Sequence, residues 1–447
     1  MSSALLLHVV GVLLRHACAV DEVQELPGYG IPQQRTLAGY VEVNHSSNGH
    51  LYFMFFEKLG ANADANTPLL VWLNGGPGAS SALGNFLEHG PYRLQANGSL
   101  TVNPDTWNRL AHIVYFDQPV GTGYSYCDAG GYVTNMEQLS KQFVAGLVKF
   151  FERHEEYKSN PLYITGESYA GVYVPAIAAH ILQNVPQLTL AGVLIGNPGN
   201  FHFTQYQGQI SFALSHGLIG DAEAETAEDL WLACASLVET SDMVAAFTKC
   251  EEMSSYIFDR AGDPFLYNVQ QWGDFYDDVL APVMQRYFDA PRTKQLIHAG
   301  DHAWRNGDGT AAPNPVVIAL NKTLMDSALH NLKTILEHGV PLRVYDGVLD
   351  GSSCNHVSVF NALKLLQWKG KEAFLAATRQ QWKVPGSNHP AGYLQSGGGV
   401  TFVWVANSGH LVPYDQPEAA LEMLRSFLES SQTPEYTIRE QSDPSYV

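Results

Sequence analysis

The chain has 447 residues, 45% of them hydrophobic and 15% charged, enough to bury a large core as one large domain or two to three smaller ones. Its 44 acidic side chains against 25 basic ones give a formal net charge of −19 with no compensating basic patch, which excludes nucleic acid as a partner. No run of 18 apolar residues follows the N-terminus, so no membrane span is expected in the mature protein.

At the N-terminus, Leu5 to Leu14 form an apolar stretch, and Ala17-Cys18-Ala19 has the small-x-small pattern of a signal-peptidase site. The pair predicts a signal peptide over 1–19, although no Lys or Arg precedes the stretch, and a secreted or vacuolar/lysosomal destination through the secretory pathway. Cleavage removes Cys18 and leaves Cys127, Cys234, Cys250 and Cys354, which permit three pairings in an oxidising compartment. Cys234 with Cys250, close in sequence across a helix–loop region, is the favoured bridge, and Cys127 with Cys354 the weaker one. Asn44-His-Ser, Asn97-Gly-Ser and Asn321-Lys-Thr are glycosylation sequons for an exported chain.

Residues 39–57 alternate through Tyr40, Val41 and Val43, then Leu51, Tyr52, Phe53 and Phe55, around His45-Ser-Ser-Asn-Gly49, which predicts an antiparallel hairpin. Leu69 to Leu73 is a short apolar strand ending in Asn74-Gly-Gly-Pro-Gly78. Ile113 to Phe116 is another, ending in Asp117-Gln-Pro-Val-Gly-Thr-Gly123. Brief, continuous, glycine-closed runs of this kind are how buried parallel strands read. Leu139, Phe143, Leu147 and Phe150 repeat at helical spacing and predict a helix from about Asn135 to Glu156. The strand Leu162 to Thr165 runs into Gly166-Glu-Ser-Tyr-Ala-Gly171 and a second helix, and Val193 to Ile195 resumes the strand pattern. Strand alternating with helix predicts an α/β domain with a largely parallel sheet. The rhythm stops near Pro198, and residues 199–320 read as a helical, loop-rich insertion between a first core part, 20–198, and a second, 321–447. The second part supplies strands at Leu342 to Tyr345 and Thr401 to Val405 and a last helix at Pro417 to Leu428.

Ser168 sits between a strand and a helix with Gly166, Ala170 and Gly171 around it. This is the context of a nucleophile elbow, although the strict Gly-x-Ser-x-Gly spacing is missed. A base and an orienting acid are then expected downstream, each after a core strand. His410 follows the strand of Thr401 to Val405, and both Asp346 and Asp350 stand at the end of the strand before it, so the residues alone leave the acid open. Asn74-Gly-Gly-Pro-Gly78 reads either as a tight turn or as an oxyanion loop, in which the Gly76 N–H would act with the Tyr169 N–H. No glycine-lysine ending makes it a phosphate loop, and no cofactor or metal is expected.

Trp72-Leu-Asn-Gly-Gly-Pro-Gly78, Asp117-Gln-Pro-Val-Gly-Thr-Gly-Tyr-Ser-Tyr126, Gly166-Glu-Ser-Tyr-Ala-Gly171 and Gly409-His-Leu-Val-Pro413 together resemble the serine carboxypeptidase family over residues 27 to 430. The resemblance implies an α/β-hydrolase fold in which the insertion is a helical cap shaping the substrate pockets. It implies Ser168 as nucleophile, His410 as base and Asp350, not Asp346, as acid. It implies Asn74, Glu88 and Glu167, with Trp72 beside them, as the set that recognises the free carboxylate of a peptide or protein C-terminus. Tyr256, Phe265, Tyr267 and Trp272 are candidates to line the cap pockets or to fill the cap core. Two departures stand out: Ala79 occupies a position where many members carry a cysteine bridged to the cap, and Cys354 follows Asp350 by four residues where three is common. The expected activity is hydrolysis at peptide C-termini through an acyl-enzyme, by a monomer or homodimer, with an acidic optimum because Glu88 and Glu167 cannot both be ionised beside an anion. The alternative is an acyltransferase of the same fold acting on small molecules. A non-enzymatic decoy would require a broken triad.

Overall fold

The computed structural model describes residues 21–431 apart from 61–63, 274–279 and 307–313, so the expected signal peptide lies outside the described residues. In chain order the strands are β1 (Thr36–Asn44), β2 (Gly49–Phe56), β3 (Leu69–Leu73), β4 (Tyr92–Leu94), β5 (Leu100–Val102) and β6 (His112–Asp117). They continue as β7 (Leu162–Glu167), β8 (Leu190–Gly196), β9 (Leu342–Gly347), β10 (Gln380–Trp382), β11 (Gly392–Gly397) and β12 (Val400–Val405). Apart from the small β4–β5 ribbon they form one 10-stranded sheet, in the order β1-β2-β6-β3-β7-β8-β9-β12-β11-β10. The run from β6 to β12 is parallel, and the strands outside it pair antiparallel. Every residue of β3, β6, β7, β9 and β12 is buried, which is why these strands read as short, largely apolar runs without polar alternation.

Helices cover both faces. The helix Met136–Arg153 starts where the Asn135 side chain accepts from Gln138 N–H, and it lays Leu139, Phe143, Leu147 and Phe150 against the sheet. It ends sooner than the periodicity predicts because His154 is buried and leaves the helical conformation, at φ −123° and ψ 64°. The helix Ala170–Asn184 packs on the same face, and Pro417–Ser431 on the opposite one. This is an α/β-hydrolase architecture with a helical insertion.

Within the insertion the helices Gln205–Ser215, Asp221–Glu239 and Met243–Ala261 bury a small core of their own around Trp231, Met253 and Ile257. The expected Cys234–Cys250 disulfide joins two of them. Cys127 and Cys354 are free thiols, so the alternative bridge is not formed. Further on, Met284, Tyr287, Phe288 and Trp304 leave that small core and pack with Phe86 and Tyr124 in the main body. Among the described residues no helix is long and apolar enough to cross a membrane.

Candidate active site

The parallel strands deliver their C-terminal ends, and the loops after them, to one edge of the sheet, where α/β sites form. β7 ends at Glu167 and the next helix begins at Ala170, so the turn between them is very tight. Ser168 occupies it with φ 61°, a left-handed conformation rare for any residue but glycine. Its N–H donates to the Gly196 carbonyl at 3.1 Å, and its carbonyl accepts from the N–H groups of Gly171 and Gly199, each at 2.8 Å. The loop after β3 presses against this turn: a Cβ on Gly75 would collide with the Tyr169 N–H and the Glu167 carbonyl. Gly76, at φ 103°, and Ser168 line one cavity of about 500 Å³.

His410, on the loop after β12, lines the same cavity. Its Nδ1 lies 2.6 Å from Asp350 Oδ2, and its buried Nε2 has no hydrogen-bond partner among the described residues. Asp350 is completely buried, and its oxygens are well supplied with donors. Oδ1 accepts from the Ser352 N–H at 2.9 Å and the Ser352 hydroxyl at 2.7 Å, and Oδ2 accepts from Asn197 Nδ2 at 2.8 Å. Asp346, the competing candidate, is buried within β9 and neither of its carboxyl oxygens has a partner among the described residues.

Asn197 was not identified from sequence. It ends the β8 segment at φ 38°, and its Oδ1 accepts from the Gly347 N–H at 3.2 Å while its Nδ2 reaches Asp350. The available signal was its position, an asparagine directly after a parallel strand in Gly196-Asn-Pro-Gly199, the place where site residues gather.

The carboxylate-recognition candidates are brought together. The Trp72 indole N–H donates to Asn74 Oδ1 at 2.8 Å, the Gly84 N–H donates to the same oxygen at 3.0 Å, and Asn74 Nδ2 donates to Glu167 Oε1 at 2.8 Å. Trp72 is therefore behind Asn74, fixing its amide orientation. Asn74, Glu88 and Glu167 all face the cavity that Ser168 and His410 line, and Ala79, Leu83, Leu87, Tyr267 and Leu411 complete its wall. Of the four aromatic candidates, Tyr267 lines this cavity and Phe265 lines a neighbouring one of about 350 Å³. Tyr256 packs instead on the insertion's own core, and Trp272 is 70% exposed. Among the described residues no three His, Cys, Asp or Glu side chains are grouped to hold a metal ion.

Comparison with known proteins gives the same family as the motifs. Residues 27–430 match the family model Peptidase_S10, serine carboxypeptidase. The pheromone-processing carboxypeptidase kex1 of Aspergillus niger is 31% identical over 436 residues, 91% of this chain and 69% of that protein. A carboxypeptidase Y homolog A of Phaeosphaeria nodorum is 31% identical over 412 residues, 89% of this chain and 74% of that protein. The chain spans about two thirds of the length of the kex1 relatives. The crystal structure of Kex1(Δ)p, a prohormone-processing carboxypeptidase from Saccharomyces cerevisiae, shares the fold with a TM-score of 0.81 at 24% identity, covering 92% of this chain and 96% of that one.

The two glutamates have electrostatics that a water-exposed pair would not. Burial pushes the Glu88 carboxyl up to about 7. Burial, and then the Glu88 charge beside it, push Glu167 well above the usual carboxylate range. The second oxygen of Glu167 and both oxygens of Glu88 have no donor of good geometry among the described residues, while the two carboxyls lie against one another. A proton held between them would supply a donor. Because both pKa values rise on folding, the folded state keeps protons that the unfolded chain releases, and stability falls as pH rises from the ordinary carboxyl range through about 7. Glu88→Gln removes one of the two charges, so its thermal midpoint relative to wild type should be higher at pH 8 than at pH 5. Parallel midpoint curves for the two proteins over that range would show that no proton is shared.

Proposed function

The chain belongs to the serine carboxypeptidase family, and we propose that it removes C-terminal residues from peptides through an acyl-enzyme on Ser168. The observation that carries this reading is the sharing of one cavity by Ser168, His410 and the Asn74, Glu88 and Glu167 set. His410 Nε2 takes the Ser168 hydroxyl proton as the oxygen attacks the carbonyl carbon of the last peptide bond, and Asp350 holds the Nδ1–H side of the ring. The oxyanion meets the N–H groups of Gly76 and Tyr169. His410 then gives its proton to the departing amine, the terminal residue leaves, and His410 activates the water that releases the acyl group. The terminal carboxylate binds to the Asn74 amide and the protonated glutamate pair, a recognition that an acyltransferase working on small molecules does not require.

This anchoring also constrains the terminal side chain. Held between the glutamate pair and Ser168, it meets the apolar part of the cavity wall, Ala79, Leu83, Leu87 and Leu411. An apolar C-terminal residue is therefore preferred over a charged one. Burying a Leu-sized side chain contributes about 1.5–3 kcal/mol, roughly 10- to 160-fold in kcat/KM. The proposed route through the secretory pathway, to a secreted or vacuolar destination, is supported by the Cys234–Cys250 disulfide and by Asn44, Asn97 and Asn321, none of which is buried.

Three measurements test the reading. Ser168→Ala should retain less than about one percent of wild-type turnover, since loss of a nucleophile costs far more than that in serine hydrolases. A higher rate points to a different nucleophile. For blocked dipeptides, KM should rise from about pH 5 to pH 8 as the Glu88 and Glu167 proton is lost, while KM for the C-terminal amide stays high and flat. Equal kinetics on acid and amide exclude an exopeptidase. A series ending in Leu, Phe, Lys or Asp should favour the first two, and faster cleavage of the Lys or Asp substrates would place the terminal side chain elsewhere.

A further inference from the structure

Residues 264–272 belong to the insertion and carry no periodic pattern, yet they contact both of the loops that hold the acid–base pair. The segment is a closed loop in its own right. Pro264 and Trp272 pair as an isolated bridge, the Phe265 N–H donates to the Gln271 carbonyl at 2.9 Å, and the Gln271 N–H donates to the Asn268 carbonyl at 2.8 Å. On one side it brackets Asp350: the Gly351 N–H donates to the Leu266 carbonyl at 2.9 Å, and the Val269 N–H donates to the Leu349 carbonyl at 3.0 Å. On the other side it holds His410, whose N–H donates to the Tyr267 carbonyl at 2.7 Å and whose ring is stacked on the Tyr267 ring, with centroids 4.5 Å apart and planes at 23°. Asn268 Nδ2 donates to Asp415 Oδ2 at 3.0 Å, and the same oxygen accepts from the Gly409 N–H at 2.7 Å. The glycines on the two loops are fitted to this contact. A Cβ on Gly409 would strike the Tyr267 carbonyl and Asn268, and one on Gly351 would strike Val269 and Phe258.

We propose that Phe265–Val269 is a strap that sets the geometry of the acid–base pair, with Tyr267 and Asn268 as positioning residues for His410. The proposal rests on the reading of His410 as the base that activates Ser168. Asp350 and His410 both lie beyond the ends of their strands, β9 and β12, where the Leu349 N–H donates to the Ser408 carbonyl at 2.8 Å and joins the two loops directly. A displacement of about 1 Å at a reacting group costs on the order of 100-fold in rate. The strap adds to that direct bond by hydrogen-bonding both loops to one short element. It also explains how the insertion is fastened to the site: its disulfide, Cys234–Cys250, is internal to the insertion, and Ala79 offers no thiol.

The test uses the full chain with Asn268→Ala, Asp415→Asn, Tyr267→Ala and Tyr267→Phe. Three quantities are read: kcat and KM on a blocked dipeptide, the rate of inactivation by phenylmethanesulfonyl fluoride, and the thermal midpoint. Asn268→Ala should lose roughly 10-fold in both kcat and inactivation rate, with KM within about twofold of wild type. Asp415→Asn should act in the same direction, and combining it with Asn268→Ala should add less than it does alone, as expected for residues acting through one contact. Tyr267→Phe, which keeps the stacked ring, should restore most of what Tyr267→Ala loses. Inactivation of folded Asn268→Ala and Asp415→Asn at the wild-type rate would overturn the strap while leaving Ser168 and His410 in their roles. A wild-type protein that the reagent does not touch would instead overturn the nucleophile reading, and the strap with it.

Discussion

A side chain at a positive φ costs about 1–3 kcal/mol, so Ser168 at φ 61° persists only because its surroundings fix it there. Those surroundings are mostly backbone. The Gly196 carbonyl and the Gly171 and Gly199 N–H groups take up the polar groups of Ser168, and glycine at 75 and 171 lets neighbouring chain approach where any side chain would collide. One strained turn thus does three things. It places Ser168 in the cavity wall, brings the Tyr169 nitrogen close against Gly75, and leaves Glu167, the last residue of β7, in the wall of the same cavity. The rest of the site is arranged around that geometry.

The second constraint is burial of acid groups in a chain already rich in them. Asp117 shows the structural use of a buried carboxyl. It accepts from the Ser80 hydroxyl and from the Ser81 and Tyr124 N–H groups, and burial pushes it up to about 6. It pins the start of the segment that runs from the Gly75–Gly76 loop to Glu88, so the Asp117 motif serves architecture. Glu88 and Glu167 lack such a set of donors, and burial raises both above the usual carboxylate range. A protonated carboxyl there could donate to a carboxylate, where two ionised ones would repel it.

The fold was legible wherever burial on both faces leaves an unbroken apolar run, as at Leu69–Leu73 and Val400–Val405, and wherever a helix shows one stripe to the sheet, as with Leu139, Phe143 and Leu147. The placement of Ser168 and His410 on the segments that follow β7 and β12 was legible in the order of the strands. The partners that hold them were not. Asn197 is 153 residues from Asp350, and Asn268 is 147 from Asp415. Such contacts exist only once the sheet has closed, and no local spacing records them. The same holds for the aromatic candidates: Tyr267 and Trp272 are both large aromatic residues of one short segment, and only the fold lays Tyr267 against His410 and leaves Trp272 exposed.

The two aspartates at the end of β9 show how the fold resolves what the residues leave open. Both are completely buried and stand four positions apart, and residue type does not distinguish them. By strand alternation Asp346 shares its face with Leu342 and Val344, in an apolar layer that offers it no donor. Burial, and then the Asp350 charge, push it well above the usual carboxylate range. A neutral carboxyl of that kind cannot offset the charge that an imidazole gains when it takes a proton. Asp350 has left the strand, and the turn there gives it the Ser352 N–H and hydroxyl, with Asn197 Nδ2 supplied across the sheet edge. These donors satisfy the buried carboxyl oxygens next to His410. What separates Asp350 from Asp346 is therefore the supply of donors beyond the strand, and that supply depends on Asn197, a residue directly after the neighbouring strand β8.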